Sequence, residues 1–493
     1  MKGCDLITAV CCILTILLAI VVESREIGTE QVLIVVSYDG FRTEYLERDV
    51  TPNLLEFRRN GVYADYMKNV FPTKTFTNHH SIATGLYPSV HGVTANELWD
   101  SKLGKLRYGY EIFHYDPEIL PIWTLNEKSG GTSACVMWPG SNFDYGQTNC
   151  TFVMEYNSSV PMKQRVDEMF SWLKDPKNPP NLVMLYLELP DQLAHAVGPE
   201  SPKITAALKE LDSITKYIQD ELKANNLLQR ANVIHLSDHG MEGVTSANFI
   251  DLTKFLEPNT FTMVGTSPVL QVVPTKGKEE EVFTKLKNAA LENGNFDIYK
   301  PSTLPSRWHI FNERRFGPII AVAHLGYAFQ DMFDAAKYYE DKYNITFTPT
   351  SVYGVHGYDN AIPKMHPIFM AKGPAFKKNQ KVPPFHTVDL FALFCKLLNI
   401  PNPPKTAATL SNVSEVLSAR SSTKIGAGGS EIIQELNALP SSNKFTNNLF
   451  FFDFLILQLT INLPLILTTT DSFGPSRSTN PIRSFSFTTI FVT

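Results

Sequence analysis

Cysteine is scarce in this chain, which has six in 493 residues. Three of them lie in the apolar N-terminal segment: Cys4, Cys11 and Cys12. Cys135 and Cys150 are close enough in sequence to form a short disulfide loop in an oxidising compartment. Cys395 lies in the apolar run LFALFCKLLNI and is expected to be buried and unpaired. The chain is therefore not a small cysteine-rich scaffold.

The chain also lacks a long stretch of positive charge and any internal repeat. Its net charge is −5 and its pI is about 6.2. These values exclude a surface that coats a polynucleotide. With 43% hydrophobic and 19% charged residues, the composition is that of an ordinary folded protein. The length predicts two or three domains or one large α/β domain.

The N-terminus has the pattern of a targeting segment. Lys2 precedes an apolar run from Ile7 to Val22, and compact residues at Val22 and Ser24 suit cleavage after Ser24. The pattern predicts a secretory signal peptide over residues 1–24. An uncleaved signal anchor is the alternative, although a membrane span usually takes about 20 residues.

N-linked glycosylation sequons support export of the chain. Their acceptor residues are Asn149, Asn157, Asn344 and Asn412. A chain of this length contains some such triplets by chance, so each is weak evidence alone. Together with the N-terminal segment, they predict an extracellular protein that is secreted or anchored at the cell surface.

Three apolar runs end in acidic residues, as buried parallel strands do at a binding edge. They cover residues 31–40, 181–191 and 231–240, and residues 203–224 between the last two repeat apolar positions with a helical period. Alternation of strand, helix and strand predicts an α/β fold with a mostly parallel central sheet and helices on both faces. Ligands in such sheets bind at the carboxyl ends of the strands.

The composition changes after the predicted folded domain, which covers residues 28–405. Residues 406–448 are rich in small and polar residues and predict a linker. Residues 449–467 are a possible hydrophobic anchor, and residues 468–493 are a polar tail. Four residues make the anchor a poor membrane span: Asp453, Gln458, Asn462 and Pro464. Membrane association through either terminus stays open.

Carboxylates and imidazoles recur at the predicted strand ends in a pattern typical of metal ligands. Asp191 and His195 are four residues apart, so one helical turn places both on one face. Asp238 and His239 are adjacent at a strand end, and His356 opens the segment HGYDN. Two Zn²⁺ sites follow from these donors. The candidate ligands are Asp39, Asp191, His195, Asp238, His239 and His356.

A two-metal site would activate a hydroxyl nucleophile in the segment FPTKTFTNHHS, residues 71–81. One cation lowers the pKa of the hydroxyl and the other polarises the phosphoryl oxygen. The nucleophile should stand where a helix begins, because free N–H groups there stabilise phosphate charge. Thr75 falls at such a start, with Gly85 as the stop signal. Thr73 and Thr77 are the alternatives without a chemical role.

Several motifs, in order, resemble those of the ectonucleotide pyrophosphatase/phosphodiesterase family of the alkaline phosphatase superfamily. The similarity covers about residues 30–400, and the chain resembles the short members that have a single catalytic domain. The motifs are SYDGFR, NVFPTKTFTNHHSIATGLYPSVHGV, MWPGSN, EYNSSVP, LPDQLAH, SDHGM and HGYDNAIPKMHPIFMAKGPAF.

The resemblance implies a role for each matching residue. One zinc would be held by Asp191, His195 and His356. The other would be held by Asp39, Asp238, His239 and the nucleophile Thr75. Asn78 and the backbone N–H of Phe76 would bind a phosphoryl oxygen, and Phe76 and Tyr156 would sandwich a nucleobase.

Three positions depart from the family pattern. Thr77 stands where proline is common, Asn142 where some relatives have aspartate, and His80 where tyrosine is frequent. None of the three removes a candidate metal ligand. The resemblance therefore implies an active enzyme.

The resemblance implies hydrolysis of nucleotide phosphodiester or pyrophosphate bonds. Thr75 would form a covalent nucleotidyl intermediate, and water would then release a nucleoside 5′-monophosphate. The alternatives are a choline-phospholipid phosphodiesterase, a phosphomonoesterase, and a catalytically weak adhesion or receptor ectodomain on the same fold. A sulfatase is disfavoured because its nucleophile motif is missing.

Overall fold

The computed structural model describes residues 31–346, 348 and 350–419. The segment Val32–Tyr38 (strand β1) is rich in β-branched residues, and all seven of its side chains are buried. Such a continuous apolar run is typical of a strand covered on both faces. Strand β1 lies in the middle of the main sheet and places the acidic residue that follows it at the sheet edge.

The main sheet has eight strands and is mostly parallel. Strand β1 pairs in parallel with both of its neighbours, β7 (Leu182–Leu187) and β8 (Ala231–Leu236), and β17 (Phe369–Lys372) is antiparallel to the two strands beside it. In spatial order the strands are β18 (Gln380–Val382), β2 (Val62–Ala64), β17 (Phe369–Lys372), β8 (Ala231–Leu236), β1, β7 (Leu182–Leu187), β5 (Ser133–Val136) and β6 (Phe152–Met154).

A smaller antiparallel sheet and three two-stranded ribbons complete the strands of the described residues. The smaller sheet has, in spatial order, β11 (Phe261–Thr266), β12 (Val269–Pro274), β14 (Ile319–Ala323) and β13 (Phe296–Tyr299). The ribbons are β3 (Leu98–Asp100) with β4 (Gly104–Leu106), β9 (Glu242–Thr245) with β16 (Val352–Val355), and β10 (Phe249–Ile250) with β15 (Ala328–Phe329).

Helices connect the strands. The α-helices are α1 (Pro52–Asn60), α2 (Thr75–Thr84), α3 (Pro88–His91), α4 (Tyr110–Phe113), α5 (Ile122–Lys128), α6 (Met162–Leu173), α7 (Asp191–Val197), α8 (Pro202–Ala224), α9 (Glu279–Asn293), α10 (Asp331–Tyr343), α11 (Leu390–Leu397) and α12 (Leu410–Val413). Short 3₁₀ helices cover Thr43–Arg48, Ser246–Asn248, Leu252–Phe255, Pro301–Thr303, Ser306–Trp308, Pro363–Met365, Thr387–Asp389 and Ser414–Val416.

The α/β fold with a mostly parallel central sheet is confirmed. The three predicted strands are β1, β7 and β8, and the predicted helix is α8. Helix α8 begins after Ser201, whose hydroxyl accepts a hydrogen bond from the Lys203 N–H as an N-cap. Its predicted apolar positions are all buried: Ile204, Leu208, Leu211, Ile214, Ile218 and Leu222.

The packed unit continues beyond residue 405, where the sequence predicts a linker. Val413 and Val416 are buried in the core of the main sheet, and Phe376 pairs with Leu417 in an isolated bridge. These few apolar side chains pack into the core cluster, which the small and polar composition around them does not reveal.

The predicted segments at both ends fall outside the described residues. They are the signal peptide over 1–24, most of the linker, the possible anchor over 449–467 and the polar tail over 468–493. Within residues 31–419, no helix combines the length and the apolar character that crossing a bilayer requires. Cys135 and Cys150 form a disulfide, and Cys395 is a buried free thiol.

Candidate metal centre and active site

The carboxyl ends of three adjacent strands bring the candidate acidic residues together. Asp39 follows β1, Asp238 follows β8, and Asp191 begins α7 just after β7. The Asp191 N–H donates to the Asp39 carbonyl at 3.1 Å, and the Gly40 N–H donates to Asp238 Oδ1 at 3.2 Å. Because the three strands are parallel neighbours, residues far apart in sequence meet at one edge.

Two further histidines, one on α7 itself and one after β16, complete the cluster. His195 lies one turn after Asp191 on α7, and its Nε2 is 3.2 Å from Asp191 Oδ2. His356 follows β16, and its Nε2 is 3.6 Å from Asp191 Oδ1. The rings of His239 and His356 are stacked with their centroids 3.7 Å apart. The structure therefore brings all six predicted ligands into one buried centre.

Backbone carbonyls hold each imidazole in one orientation. The Nδ1–H of His195 donates to the Gly354 carbonyl at 2.8 Å, and the Nδ1–H of His356 donates to the Thr73 carbonyl at 2.8 Å. In His239 the same nitrogen donates to the Gly240 carbonyl at 2.9 Å. Each Nε2 is then left with a lone pair directed at the centre. This is the arrangement in which imidazoles bind a metal.

Buried ligand atoms without hydrogen-bond partners indicate where cations would bind. A buried polar atom left unpaired costs about 1–3 kcal/mol, so a group of them signals a missing ligand. The atoms are Asp39 Oδ1, Asp191 Oδ1, His195 Nε2, Asp238 Oδ2 and His356 Nε2. Carboxylate and imidazole donors in this number fit Zn²⁺.

The donor atoms fall into two overlapping groups. One has Asp39, Asp238 and His239, and the other has Asp191, His239 and His356; within each group the ligand atoms lie within 4.8 Å of one another. The first group matches the ligand set expected for one metal. The second group contains His239 where His195 was expected, because the His239 ring lies between the two groups and belongs to both.

The electrostatics of the centre also favour a cation. Burial raises the pKa of Asp39 well above its ordinary value, and the charges of Asp238 and Asp191 raise it further. Burial likewise raises the pKa of Asp238, but His239 and His79 outweigh that effect and hold it below its ordinary value. Three buried carboxylates this close repel one another unless positive charge lies between them.

Thr75 is the one threonine of its segment whose hydroxyl contacts this centre. It is the first residue of α2, and its Oγ1 is 3.2 Å from His239 Nε2. Thr73 instead donates to the Tyr358 carbonyl and accepts from the Gly357 N–H, so it ties the loop to the segment after β16. The Thr77 hydroxyl is buried and has no hydrogen-bond partner. Gly85, with φ of +67°, ends the helix as expected.

The structure corrects the role expected for Asn78. Its Nδ2 donates to the carbonyls of Lys74, Pro72 and Val70, and its Oδ1 accepts from the Val70 N–H at 2.9 Å. Both ends of the amide are therefore used to hold the loop before α2. Asn78 has no group left to bind a phosphoryl oxygen.

Asn96 is a polar residue at the helix start that the sequence did not single out. Its Oδ1 accepts from the Phe76 N–H at 2.9 Å, beside the Thr75 hydroxyl, and its side chain is 6% exposed. An amide here is well placed to contact a phosphoryl group bound at the α2 N-terminus. The segment GVTANELW gives no local signal, because only the fold brings it to α2.

The two predicted base-stacking residues lie on different elements at the same edge of the sheet. Phe76 is on the first turn of α2, and its ring centroid is 5.2 Å from that of Tyr108. Tyr156 follows β6 and is partly buried, and its hydroxyl accepts from Gln192 Nε2 at 3.4 Å. A further polar group lies near Phe76, because the Tyr108 hydroxyl donates to Asn142 Oδ1 at 2.7 Å.

Three of the four sequon acceptors are exposed and the fourth is partly buried. Asn157, Asn344 and Asn412 are exposed, and Asn149 is partly buried beside the disulfide. The Asn412 amide also donates to the Asp389 carboxylate at 3.2 Å.

Comparisons with known proteins identify relatives of the chain. A family model described as type I phosphodiesterase / nucleotide pyrophosphatase matches residues 33–359. Human ectonucleotide pyrophosphatase/phosphodiesterase family member 5 is 36% identical over 398 residues, which is 79% of this chain and 79% of the relative. A Xenopus laevis protein named bis(5′-adenosyl)-triphosphatase enpp4 is 36% identical over 389 residues, which is 77% of this chain and 80% of the relative.

Solved structures give the same result for the fold. An inactive threonine-to-alanine variant of murine ectonucleotide pyrophosphatase/phosphodiesterase 5, in complex with AMP, has a TM-score of 0.71 and 34% identity. The match covers 79% of this chain and 100% of that chain. The human protein, also with a TM-score of 0.71, is 34% identical. These similarities confirm the alkaline-phosphatase-like fold that the sequence predicts.

Proposed function

The chain belongs to the type I phosphodiesterase / nucleotide pyrophosphatase family, and we propose that it is an extracellular, two-zinc member acting through a covalent intermediate on Thr75. It is an enzyme of the nucleotide pyrophosphatase/phosphodiesterase class. The observation that carries the proposal is the contact of the Thr75 hydroxyl with His239 among buried ligand atoms that have no hydrogen-bond partners.

The six candidate ligands would hold two Zn²⁺ ions. Asp191, His195 and His356 would hold one ion, and Asp39, Asp238, His239 and Thr75 would hold the other. When bound, zinc supplies charge neutralisation at the phosphoryl group and lowers the pKa of the attacking hydroxyl.

The remaining chemistry belongs to the chain. Thr75 Oγ gives up its proton to solvent and attacks the phosphorus of a nucleotide phosphodiester or pyrophosphate; the bond to the leaving oxygen breaks, the leaving group departs with that oxygen and its electron pair, and a nucleotidyl-threonine forms. Water then attacks the phosphorus from the opposite side, restores the Thr75 hydroxyl and releases a nucleoside 5′-monophosphate. The Asn96 amide lies at the helix start beside Thr75, where it would contact the phosphoryl oxygens; the Phe76 N–H, which donates to Asn96 Oδ1, would contact them only by exchanging that partner.

A nucleotide substrate is the best-supported class. Phe76 and Tyr156 offer aromatic faces at the edge of the sheet where Thr75 lies, and base stacking on such faces contributes about 1–3 kcal/mol per base. The named activity of the Xenopus relative and the AMP complex of the murine relative concern nucleotides.

An extracellular location is part of the proposal. The Cys135–Cys150 disulfide suits an oxidising compartment, and three of the sequon acceptors are exposed. The apolar segment at residues 7–22 would direct the chain there. Expression of the full chain in a secreting cell line, followed by glycosidase treatment of medium and cell-surface fractions, tests the location. A chain found inside the cell and unchanged by glycosidase would contradict it.

The activity is tested with the full chain and two alanine variants. Wild type should hydrolyse bis(5′-adenosyl) triphosphate faster than p-nitrophenylphosphocholine, and Thr75→Ala should lose the activity by a factor of about 10³ or more. Thr77→Ala, two residues further along the same helix, should remain active because its hydroxyl contacts no group of the centre. Chelation should abolish activity and lower the melting temperature, and Zn²⁺ should restore both.

The covalent step is tested separately by acid quenching and mass spectrometry. Wild type should yield a Thr75 peptide that carries the mass of a nucleoside monophosphate, and Thr75→Ala should not. Faster cleavage of the choline ester would show the choline alternative. Activity that survives both Thr75→Ala and chelation would refute the mechanism, and the absence of any hydrolysis would favour the adhesion or receptor alternative.

A further inference from the structure

We propose that Tyr186 is a positioning residue that holds Asp39 as a ligand through one oxygen, so that the metal bound there has a fixed geometry. The inference rests on the proposed function, because it assigns a role to a side chain behind the proposed metal centre. Tyr186 lies on β7, the strand beside β1, and is opposite Ser37 in the parallel register.

The two oxygens of Asp39 have different environments. The Tyr186 hydroxyl donates a hydrogen bond to Oδ2 at 2.5 Å. Oδ1 has no hydrogen-bond partner and lies 3.2 Å from His239 Nε2, on the side of the other metal ligands. The hydrogen bond therefore leaves one oxygen of the carboxylate, Oδ1, to face the centre, and it opposes any rotation that would offer both oxygens.

The Tyr186 ring is held so that its hydroxyl cannot easily leave Asp39. The side chain is 6% exposed. Its ring packs at 80° to the ring of His79, with centroids 5.2 Å apart, and lies 6.2 Å from the ring of Tyr156. Packing from several sides is what fixes the geometry of a group that orients a metal ligand.

His79 connects the same arrangement to the nucleophile. Its Nδ1–H donates to the Thr75 carbonyl at 2.8 Å, and its Nε2 is hydrogen-bonded to the Ser37 hydroxyl at 2.9 Å. The ring against which Tyr186 packs is thus held between β1 and the first turn of α2. Tyr186 therefore fixes Asp39 relative to His79, which is itself hydrogen-bonded to Thr75.

A phenol suits this role because it stays protonated. With an ordinary pKa of about 10, tyrosine is a donor at neutral pH, so it bonds to the carboxylate without competing as an anion for the metal. A hydrogen bond to the oxygen remote from a metal restricts the carboxylate and tunes its strength as a ligand. Loss of that bond should weaken metal binding at this position and leave the substrate pocket in place.

A second buried tyrosine on the same sheet provides a matched control. Tyr38 lies on β1, and its hydroxyl bonds to Thr215 Oγ1 at 2.7 Å and to His235 Nδ1 at 2.9 Å. Neither partner is a metal ligand. Tyr38→Phe and Tyr186→Phe each remove one buried hydroxyl and keep the ring, so both variants should fold.

The experiment compares Zn²⁺ binding to wild type, Tyr186→Phe and Tyr38→Phe by competition with a chelating dye, without substrate. In Tyr186→Phe, the dissociation constant of one of the two bound ions should rise roughly 10- to 100-fold. The other ion should bind as in wild type. Tyr38→Phe should lower the melting temperature of the metal-free protein but leave both zinc affinities unchanged.

Kinetics with saturating Zn²⁺ give the second measurement. Tyr186→Phe should lower kcat by roughly tenfold and leave KM near the wild-type value, because Asp39 acts on the reacting group and not on substrate binding. Tyr38→Phe should change neither constant.

Two results would overturn the inference. One is wild-type zinc affinity and kcat in Tyr186→Phe. The other is a loss of zinc affinity and kcat in Tyr186→Phe that only follows lower stability. In that case both ions would bind more weakly to the same extent, and Tyr38→Phe would show the same losses. Zinc binding is measured without a nucleotide, so a wild-type chain that binds two ions but hydrolyses no nucleotide would contradict the proposed function alone.

Discussion

Replacement of His80 by phenylalanine should make the protein more stable, and most of all in acid. His80 lies on α2, is completely buried, and packs against His91 and Phe113. Neither of its ring nitrogens has a hydrogen-bond partner. Burial, together with the smaller effects of His114 and Arg315, lowers the pKa of His80 from 6.5 to about 3.

The sign of the pH effect follows from that lowered pKa. Below pH 6.5 the unfolded chain takes up a proton on His80, whereas the folded protein does so only near pH 3. Stability contributed by this site is therefore present above pH 6.5 and is lost as the pH falls toward 3. For these two pKa values the loss is close to zero at pH 7.5 and about 2 kcal/mol at pH 5.

The assay is urea unfolding of wild type and His80→Phe at a series of pH values from 7.5 to 5. At pH 7.5 the variant should be more stable by about 1 kcal/mol, because burial of unpaired ring nitrogens is costly. At pH 5 the advantage should grow to about 3 kcal/mol, since the variant has no proton to take up. Titration of the metal centre is common to both proteins and cancels in the difference.

His80→Gln separates the two effects. Glutamine also removes the titration, so its stability relative to wild type should rise by about 2 kcal/mol between pH 7.5 and 5. It keeps a buried polar group, so it should give no gain at pH 7.5. If His80→Phe and wild type lose stability in parallel on acidification, His80 is not a buried neutral histidine and the reasoning is wrong.

Two further predictions concern the core. Replacing Cys135 and Cys150 by serine should lower the free energy of unfolding by about 3 kcal/mol, because the disulfide closes a loop with a sequence separation of 15. An unchanged midpoint of urea unfolding would contradict this prediction. Arg165→Met should lower it by about 3–5 kcal/mol, because it leaves the buried Glu188 carboxylate, 2.8 Å from the guanidinium, without a partner. The double variant with Glu188→Leu should recover most of that loss, and failure to do so would show that the cost comes from packing.

Strands β1, β7 and β8 and helix α2 could be predicted because their signals are local. β1, β7 and β8 are unbroken apolar runs, and a parallel sheet necessarily gathers the acidic residues that follow such strands at one edge. The start of α2 at Thr75 and its end at Gly85 follow from the order of residues in that segment alone.

Asn78 and Asn96 show where local reasoning ends. Asn78 lies in the motif beside Thr75, yet its amide holds the loop before α2. Asn96 comes from a segment with no distinguishing pattern and contacts the Phe76 N–H because the chain returns to the helix start. Which of two amides faces the site depends on backbone contacts that sequence spacing does not encode.

The sequence by itself determined the fold class, the residues able to bind metal and the one threonine at a helix start. These properties depend on hydrophobic periodicity and on side-chain chemistry, which can be read from neighbouring residues. Tertiary structure alone decided that His239 lies between the two ligand groups, that Tyr186 holds Asp39, and that residues after 405 pack on the core. Each of these depends on distances between segments far apart in the chain, and such distances are set only when the whole core packs.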